Sequence, residues 1–253
     1  MTQNRSRRFS ILALAFFLLG IGASAAPQPQ QDEQVRSVLF VGNSYSFGVP
    51  KEFSELCRKS GRTVKVDEIT KGGWKLSDHE KNGSAKTFGE GWDVIVLQEQ
   101  SQLPSFAENQ IRAESLPACG TLVVAARKAG ARAVLYETWG SRDGDKQNEK
   151  DFPNDTYAAM QARLISGYKF LAKETGAEIA TVGEAWQIVR AHKPEIDLYL
   201  TDGRHPSASG IHLAASVFYA KIFHADPTKF PELDIPPAVA KILHEAAHDA
   251  EKI

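Results

Sequence analysis

Cysteine, charge of one sign and long apolar runs are all scarce in this chain of 253 residues. It contains two cysteines, and its 30 Lys and Arg residues against 31 Asp and Glu residues give a formal net charge of −1. Nucleic-acid binding by counterion release needs clustered Lys and Arg, and the sequence has no such block, so we expect no nucleic-acid partner. None of the Cys and His residues has the spacing of a structural zinc site.

The only long apolar run lies at the N-terminus. It spans residues 9–26, follows three arginines, and ends in Ala23-Ser24-Ala25. This pattern is typical of a secretory signal peptide over residues 1–26, followed by a linker over 27–34, and it favours cleavage over retention as a membrane anchor. We therefore expect residues 35–253 to form an exported domain, periplasmic or secreted, without stable membrane insertion after cleavage.

The two cysteines, Cys57 and Cys119, allow two interpretations. Export to an oxidising compartment would permit a disulfide bridge between them. Two thiols in helical segments are equally typical of buried apolar residues. The sequence leaves both possibilities open.

Nearly continuous runs of Val, Ile and Leu alternate with segments of helical periodicity, and a polar loop with low packing potential is predicted over residues 140–155. Continuous apolar strands are typical of a parallel sheet with helices on both faces. The β-α-β-α order therefore predicts an α/β three-layer sandwich with a central parallel five-stranded sheet, which binds ligands at the carboxyl ends of its strands. The predicted strands are 35–41, 64–69, 93–97, 131–137 and 178–182. The predicted helices are 50–59, 108–128, 156–174, 208–223 and 236–252.

A serine stands at the end of the first predicted strand. The strand leads into Gly42-Asn43-Ser44, and Pro50 opens the helix that follows. A glycine permits a tight exit from the strand, and Ser44 can then point its hydroxyl into the crevice at the sheet edge. Taken alone, this tripeptide is also compatible with a serine that merely solvates a turn.

A second candidate motif, Asp202-Gly203-Arg204-His205-Pro206, lies near the other end of the chain. With a glycine in the turn, the carboxylate of Asp202 can accept the Nδ1–H of His205, which leaves Nε2 as a base. Taken alone, the motif could be a helix-capping Asp beside a solvated His. A nucleophile, an Asp and a His on opposite ends of one α/β domain together favour acyl transfer.

Two further segments offer donors to a developing oxyanion. Gly72 and Gly73 follow the second predicted strand, where a glycine lets a bare N–H approach the charge. The third predicted strand leads into Gln98-Glu99-Gln100-Ser101, which provides side-chain amides at the same edge of the sheet.

With these blocks in order, nearly the whole chain after the leader resembles the SGNH hydrolases, also called GDSL esterases and lipases, which have a flavodoxin-like α/β sandwich. The resemblance implies that Ser44 is the nucleophile, as in the family's Gly-Asp-Ser motif, and that Asp202 and His205 match the family's Asp-x-x-His. It implies Gly73, or less favourably Gly72, as the glycine that donates its N–H. It also implies serine ester hydrolysis without a metal or an organic cofactor.

The third block departs from the family pattern. Where the family usually has Gly-x-Asn-Asp, this chain has Gln98-Glu99-Gln100-Ser101, so the oxyanion-hole asparagine is absent. Gln100 is its positional counterpart, and Gln98 is the alternative. The predicted oxyanion hole therefore consists of Ser44, Gly73 and Gln100.

We predict an exported serine esterase that removes short acyl groups, chiefly acetyl, from a small-molecule or glycan ester. The carbohydrate part of this prediction depends on export and on Trp74, Trp139 and Trp186, whose flat faces can stack on sugar rings or pack in the core. A lipase or lysophospholipase is the alternative within the class. A degenerate member that binds a glycan or acyl ligand without turnover is the alternative outside it, suggested by the altered third block.

A metal site built from Asp202, His205, His212 and His224 is a further reading of the sequence. It is disfavoured because His212 and His224 lie about two and five helical turns beyond His205, so the rings do not converge on one ion. For His212, and for His79 after the glycine pair, packing is favoured over a place in the pocket.

Overall fold

The structure is a computed structural model that describes Met1, residues 35–230 and residues 235–252. The predicted signal peptide and linker lie outside the described residues, except for Met1. The described residues from 35 onward belong to one structural unit. Among the described residues, no helix combines the length and the apolarity that a membrane crossing requires.

A five-stranded sheet forms the centre of the fold, and all of its neighbouring strands are parallel. The strand order is β2-β1-β3-β4-β5, so the chain leaves β1 in one direction and returns on the other side as β3. The predicted α/β sandwich with a parallel five-stranded sheet is confirmed. A crevice opens at such a reversal, beyond the carboxyl ends of β1 and β3, and it is the usual ligand position in open α/β sheets. The strands are β1 (Ser37–Gly42), β2 (Lys65–Thr70), β3 (Val94–Leu97), β4 (Arg132–Tyr136) and β5 (Glu178–Ala180).

The inner strands β1, β3 and β4 are apolar on both faces of the sheet, which explains their continuous hydrophobic sequences. The edge strand β2, predicted as buried over 64–69, is half-exposed instead and carries Lys65, Asp67 and Glu68. Side chains alternate between faces along a strand, so Val38 and Phe40 of β1 point into one core while Leu39 and Val41 point into the other. Phe40 meets Phe218 edge-on, with ring centroids 5.1 Å apart. The two cores fix the register of β1, because a slip of one residue would exchange its faces.

Eight α-helices cover the described part of the sheet, and five predicted segments correspond to six of them. Two helices were not predicted. The first, α2, has only seven residues, and the second, α6, begins at residue 182, which is the last residue of the predicted strand 178–182. The predicted helix 108–128 is two helices that meet at Ser115, since Pro117 has no N–H for a continuous helical ladder. The helices are α1 (Val49–Lys59), α2 (Leu76–Asn82), α3 (Glu108–Glu114), α4 (Leu116–Lys128), α5 (Tyr157–Thr175), α6 (Val182–His192), α7 (Ala208–Phe223) and α8 (Pro237–Ala250).

The loop over residues 140–155 is mostly exposed after residue 145, as its predicted low packing potential implies, but its two ends are buried. Two of its aspartates, Asp145 and Asp155, are buried. Asp155 binds the guanidinium of Arg163 at 2.7 and 2.9 Å, and it accepts the N–H of Asp145 at 2.8 Å. Polar groups therefore hold this loop in place, through hydrogen bonds that apolar periodicity cannot reveal.

The structure decides between the two interpretations of the cysteines. Both thiols are free and buried. Cys57 belongs to the core on one face of the sheet and Cys119 to the core on the other, so no bridge can join them. Burial raises the pKa of each thiol to about 12.

A matched pair of glycines in helices tests this packing. Alanine in place of a helical glycine normally stabilises a protein by up to about 1 kcal/mol. We expect this gain for Gly120→Ala in α4, where nothing lies within 4 Å of the added Cβ. Gly167→Ala in α5 should instead destabilise by about 1 to 3 kcal/mol, because its Cβ would lie 1.9 Å from the carbonyl oxygen of Pro104.

Urea unfolding of both variants measures the two changes in the free energy of unfolding. An increase in stability for Gly167→Ala would contradict the close approach of α5 to the segment around Pro104.

Candidate active site

Ser44 lies just beyond β1, in the crevice at the strand reversal. Asn43 caps a single 3₁₀ turn, Ser44–Ser46, by accepting the N–H of Tyr45 with its side-chain oxygen at 3.1 Å. The preceding Gly42 is required by crowding, since a Cβ there would lie 2.6 Å from the amide oxygen of Gln98. This turn leaves the Ser44 side chain half-buried at the edge of the sheet.

The three predicted catalytic residues form one hydrogen-bonded chain. The hydroxyl of Ser44 lies 2.9 Å from Nε2 of His205, and Nδ1 of His205 lies 2.5 Å from Oδ2 of Asp202. An ionised carboxylate can only accept, so Nδ1 carries the ring proton and Nε2 is left to accept from the serine hydroxyl. The geometry has the arrangement of a nucleophile, a base and a carboxylate that orients the base.

Asp202 is held in its ionised form. Partial burial alone would raise its pKa, but hydrogen bonds from the His205 ring and from the N–H groups of Arg204 and His205 outweigh that effect and lower the pKa to about 2. Those N–H groups lie 2.9 and 3.0 Å from its other oxygen, Oδ1. The short turn thus fixes the carboxylate with its own backbone.

Two neighbouring segments hold the Asp202–His205 turn. The indole nitrogen of Trp139 donates to the carbonyl of Arg204 at 2.9 Å, and the N–H of Arg142 donates to the carbonyl of Gly203 at 2.8 Å. Gly203 has a φ of +68°, which is readily adopted by glycine. The turn is therefore positioned by the loop after β4 as well as by its own hydrogen bonds.

An aromatic stack connects the nucleophile turn to the same loop. The Tyr45 ring lies parallel to the Trp139 ring with centroids 4.9 Å apart, and Trp139 stacks on Trp186 at 3.9 Å. Tyr45 also meets His205 edge-on at 5.4 Å. Trp139 and Trp186 are fully buried, so of the three tryptophans considered as sugar platforms only Trp74 is partly exposed.

Gly73 lies beside the serine turn, as predicted. Its φ of +74° favours glycine, and the loop is joined to the turn by the side chain of Asn43, which donates to the carbonyl of Trp74 at 2.9 Å. Within the described chain, the backbone N–H groups of Ser44 and Gly73 are not donated to any protein acceptor. Both remain available to an anion in the crevice.

Gln98 does not offer an oxyanion donor, which corrects the alternative assigned to it from the sequence. It is fully buried, and its amide oxygen accepts from the N–H of Asn43 at 2.9 Å and from the hydroxyl of Ser46 at 2.8 Å. Its amide nitrogen donates to Oδ1 of Asn43 and to the carbonyl of Glu99, both at 2.8 Å. All four hydrogen-bonding positions of this amide are thus used inside the protein.

Glu99 joins two loops of the site. Its Oε1 accepts from the N–H of Leu76, at the start of α2, at 3.0 Å and from the N–H of Gln100 at 2.7 Å. The side chain is fully buried, and burial raises the pKa of this carboxyl. Glu99 therefore connects the segment after the third strand to the segment that carries Gly73.

Gln100 is half-buried and faces its own loop. Its oxygen accepts from the N–H groups of Gln102 and Leu103 at 2.8 and 3.1 Å, and its nitrogen donates to the side chain of Gln102 at 3.1 Å. These contacts favour a role in building the loop. An oxyanion contact of Gln100 stays a prediction.

The remaining histidines of the sequence analysis are engaged elsewhere. His79 is buried and donates from Nε2 to the carbonyl of Gly42 at 2.9 Å, so it helps to hold the residue that precedes the serine turn. His212 lies 2.6 Å from Glu52 and 2.8 Å from His244. In the part of the chain that the structure describes, no group of three or more His, Cys, Asp or Glu side chains could hold a metal ion.

The sequence does not reveal the supporting roles of four residues: His79, Gln98, Glu99 and Trp139. The only available signal was local, because polar residues directly after an apolar strand lie at the edge where a site forms. Their contacts depend on loops distant in sequence.

Known structures show the same architecture. A DUF4886 family protein from Bacteroides uniformis is 23% identical, with a TM-score of 0.75 over 86% of this chain and 95% of its own. A putative SGNH hydrolase from Slackia heliotrinireducens is 29% identical, with a TM-score of 0.59 over 73% of this chain and 97% of its own. An acetyl xylan esterase is 14% identical, with a TM-score of 0.57 over 73% and 98%.

No protein-family model and no curated protein sequence matches the chain. The likeness to a family therefore depends on the parallel sheet, the order of the motifs along it and the similarity to solved structures. On these grounds the chain has the fold of the SGNH hydrolase superfamily and is similar to its members.

Proposed function

We propose that this SGNH hydrolase is an exported serine esterase that removes short acyl groups, chiefly acetyl, from carbohydrate. The observation that supports ester hydrolysis most directly is the hydrogen-bonded chain from Ser44 through His205 to Asp202 at the strand reversal. Export is proposed from the signal peptide pattern in residues 1–26.

In the proposed reaction, Nε2 of His205 takes the hydroxyl proton of Ser44 as the serine oxygen attacks the ester carbonyl carbon. The resulting tetrahedral intermediate carries its negative charge on the former carbonyl oxygen. When it collapses, the bond to the alcohol oxygen breaks, and the imidazolium gives its proton to that oxygen. Water then attacks the acyl-serine by the same route, which releases the acid and restores Ser44.

The backbone N–H groups of Ser44 and Gly73 are the proposed oxyanion donors. Both are free of protein acceptors in the described residues, and both lie on loops fixed by buried side chains. Donors held in place before the reaction stabilise the developing charge without reorganisation, which is the usual reason that such sites are rigid.

The carbohydrate part of the proposal has three supports: the predicted export, the partly exposed Trp74 beside Gly73, and the acetyl xylan esterases among the structural neighbours. Aromatic faces stack on the apolar faces of sugar rings. Acetyl is proposed as the acyl group by analogy with those neighbours.

A lipase or lysophospholipase is the second candidate, favoured by two exposed apolar side chains near the triad. Phe47 is 47% exposed just after the serine turn, and Leu200 is 52% exposed just before Asp202. A longer acyl chain would find apolar contacts there. A binding protein without turnover is less consistent with the site, because Ser44, His205 and Asp202 are all in hydrogen-bonding positions.

Replacing the nucleophile tests the proposal. Ser44→Ala should lower kcat for p-nitrophenyl acetate by about 10⁴-fold or more, because no other hydroxyl of the described residues is bonded to His205. Ser46→Ala is the matched control: its hydroxyl is buried against Gln98, so hydrolysis should persist. The wild type and Ser46→Ala, but not Ser44→Ala, should be labelled by a fluorophosphonate probe. Activity in Ser44→Ala together with inactivity in Ser46→Ala would show that Ser44 is not the nucleophile.

The dependence of kcat/KM on pH tests the base. Nε2 of His205 must be unprotonated to accept the serine proton, so kcat/KM should fall when the pH is lowered. Asp202, with a pKa of about 2, stays charged throughout and should add no second step. A rate that is flat from pH 5 to 8 would contradict the role of the imidazole.

The two glutamines of the third block give a further paired prediction. Gln98→Ala should lower both kcat and the free energy of unfolding, the latter by about 1 to 3 kcal/mol, because buried groups of Asn43 lose their partners. Gln100→Ala should lower kcat for p-nitrophenyl acetate by less than about tenfold. A loss of about 10² to 10³ at Gln100, without loss of stability, would instead identify it as an oxyanion donor.

A further inference from the structure

A small polar cavity adjoins the triad on the side of Asp202. It encloses about 230 Å³ between the loop over residues 140–155 and the Asp202–Arg204 turn. This volume is below the range of about 300 to 1,000 Å³ typical of drug-sized ligands, and it suits a single small ring. The side chains relevant to its chemistry are Gln102, Asp143, Lys146, Gln147 and Arg204.

A chain of amides that begins at Gln100 builds one wall of this cavity. The Gln100 nitrogen donates to the Gln102 oxygen, and the Gln102 nitrogen donates to Asp145 at 2.8 Å and to the oxygen of Gln147 at 2.9 Å. Asp145 is buried and also accepts the N–H groups of Gln147 and Asn148. The wall is thus fixed before any ligand arrives.

Three groups on this cavity have hydrogen-bonding capacity that the described protein does not use. Among the described residues, the exposed Asp143 carboxylate and the half-buried Arg204 guanidinium have no side-chain partner, and the nitrogen of the exposed Gln147 amide donates to no acceptor. By contrast, the Lys146 ammonium binds the carbonyl of Asp155 at 3.4 Å. The cavity therefore presents one free acceptor group and two free donor groups.

This combination selects the kind of ligand. Charges of both signs line the cavity: the carboxylates of Asp143, Asp145 and Asp202 would repel an anion, and the side chains of Lys146 and Arg204 would repel a cation. A hydroxyl group both donates and accepts, so neighbouring hydroxyls on a neutral ring satisfy both groups together.

The chemistry of ester cleavage assigns this ligand to the alcohol part of the substrate. The departing oxygen must face Nε2 of His205 to receive its proton, whereas the carbonyl oxygen must face Ser44 and Gly73. The alcohol therefore lies next to His205, and residues 202–204, which directly precede His205 in the same turn, form a wall of the cavity.

We propose that this cavity binds the neutral sugar ring that carries the ester, with Asp143, Gln147 and Arg204 as its specificity-determining contacts. The inference rests on the proposed esterase activity and adds to it the residues that distinguish a sugar from another alcohol. It also assigns a role to Gln100 of the altered third block, because Gln100 holds the wall of the cavity through Gln102.

Two kinds of acetate with different alcohols test the proposal. A panel of monoacetylated methyl pyranosides supplies a hydroxylated ring, and cyclohexyl acetate supplies a ring of the same size without hydroxyls. The wild type should prefer the best pyranoside ester in kcat/KM. Asp143→Ala should raise its KM by about tenfold or more and Gln147→Ala by about fivefold, as expected for charged and neutral hydrogen bonds. Both variants should retain the wild-type rate on cyclohexyl acetate.

Lys150→Ala is the matched control, because Lys150 is exposed on the same loop and does not line the cavity. It should leave both kinds of ester unaffected. Equal losses on both esters in Asp143→Ala and Gln147→Ala, or an unchanged KM for the sugar ester, would overturn the proposal.

Failure of the esterase proposal would be recognised separately, as a wild type that hydrolyses neither ester and is not labelled by a fluorophosphonate. The cavity is then judged by binding of the methyl pyranosides themselves, measured by saturation-transfer NMR. Binding that is lost in Asp143→Ala would support the sugar site, and absence of binding to the wild type would overturn it.

Discussion

The buried amide of Gln98 is the contact on which the site most depends. It lies at the end of β3, next to the strand that delivers Ser44, and it is the shared partner of the N–H and the side chain of Asn43. If the amide moved, the N–H and the side chain of Asn43 would remain buried without a hydrogen-bond partner, which is costly. The exit of the chain from β1, and with it the direction of the serine hydroxyl, is therefore decided by a residue in another strand.

The remaining loops are joined to this centre by a few other buried polar groups. Glu99 connects the end of β3 to the start of α2, and His79 supports the carbonyl of Gly42. On the opposite side, Trp139 stacks on Tyr45 and binds the carbonyl of Arg204. The serine turn, the loop that carries Gly73 and the Asp202–His205 turn are thus each held at the backbone by a side chain from another segment, which limits independent motion of Ser44 and His205.

Sequence patterns predicted the sheet, most of the helices and the residues of the triad because these depend on local signals. Val38 to Val41 form a continuous apolar run, and Asp202 and His205 lie in one turn where their spacing alone allows contact. The direction of an amide is not a local property. Gln98 and Gln100 stand two residues apart, and the sequence offers Gln100 as the donor with Gln98 as its alternative, yet Gln98 is buried against Asn43 and Gln100 faces Gln102. The anchoring of the loop over residues 140–155 is not predictable for the same reason, since it depends on the direction of the Arg163 side chain in the following helix.

Ser44 and His205, the proposed nucleophile and base, are 161 residues apart in the chain, although their side chains are hydrogen-bonded. During synthesis, Ser44 and the first three strands emerge long before the turn that carries His205, and contacts of such long separation form late. A nascent or interrupted chain therefore has Ser44 without its hydrogen-bond partner. Under the proposed mechanism, the topology delays reactivity until almost the whole polypeptide has been made and folded.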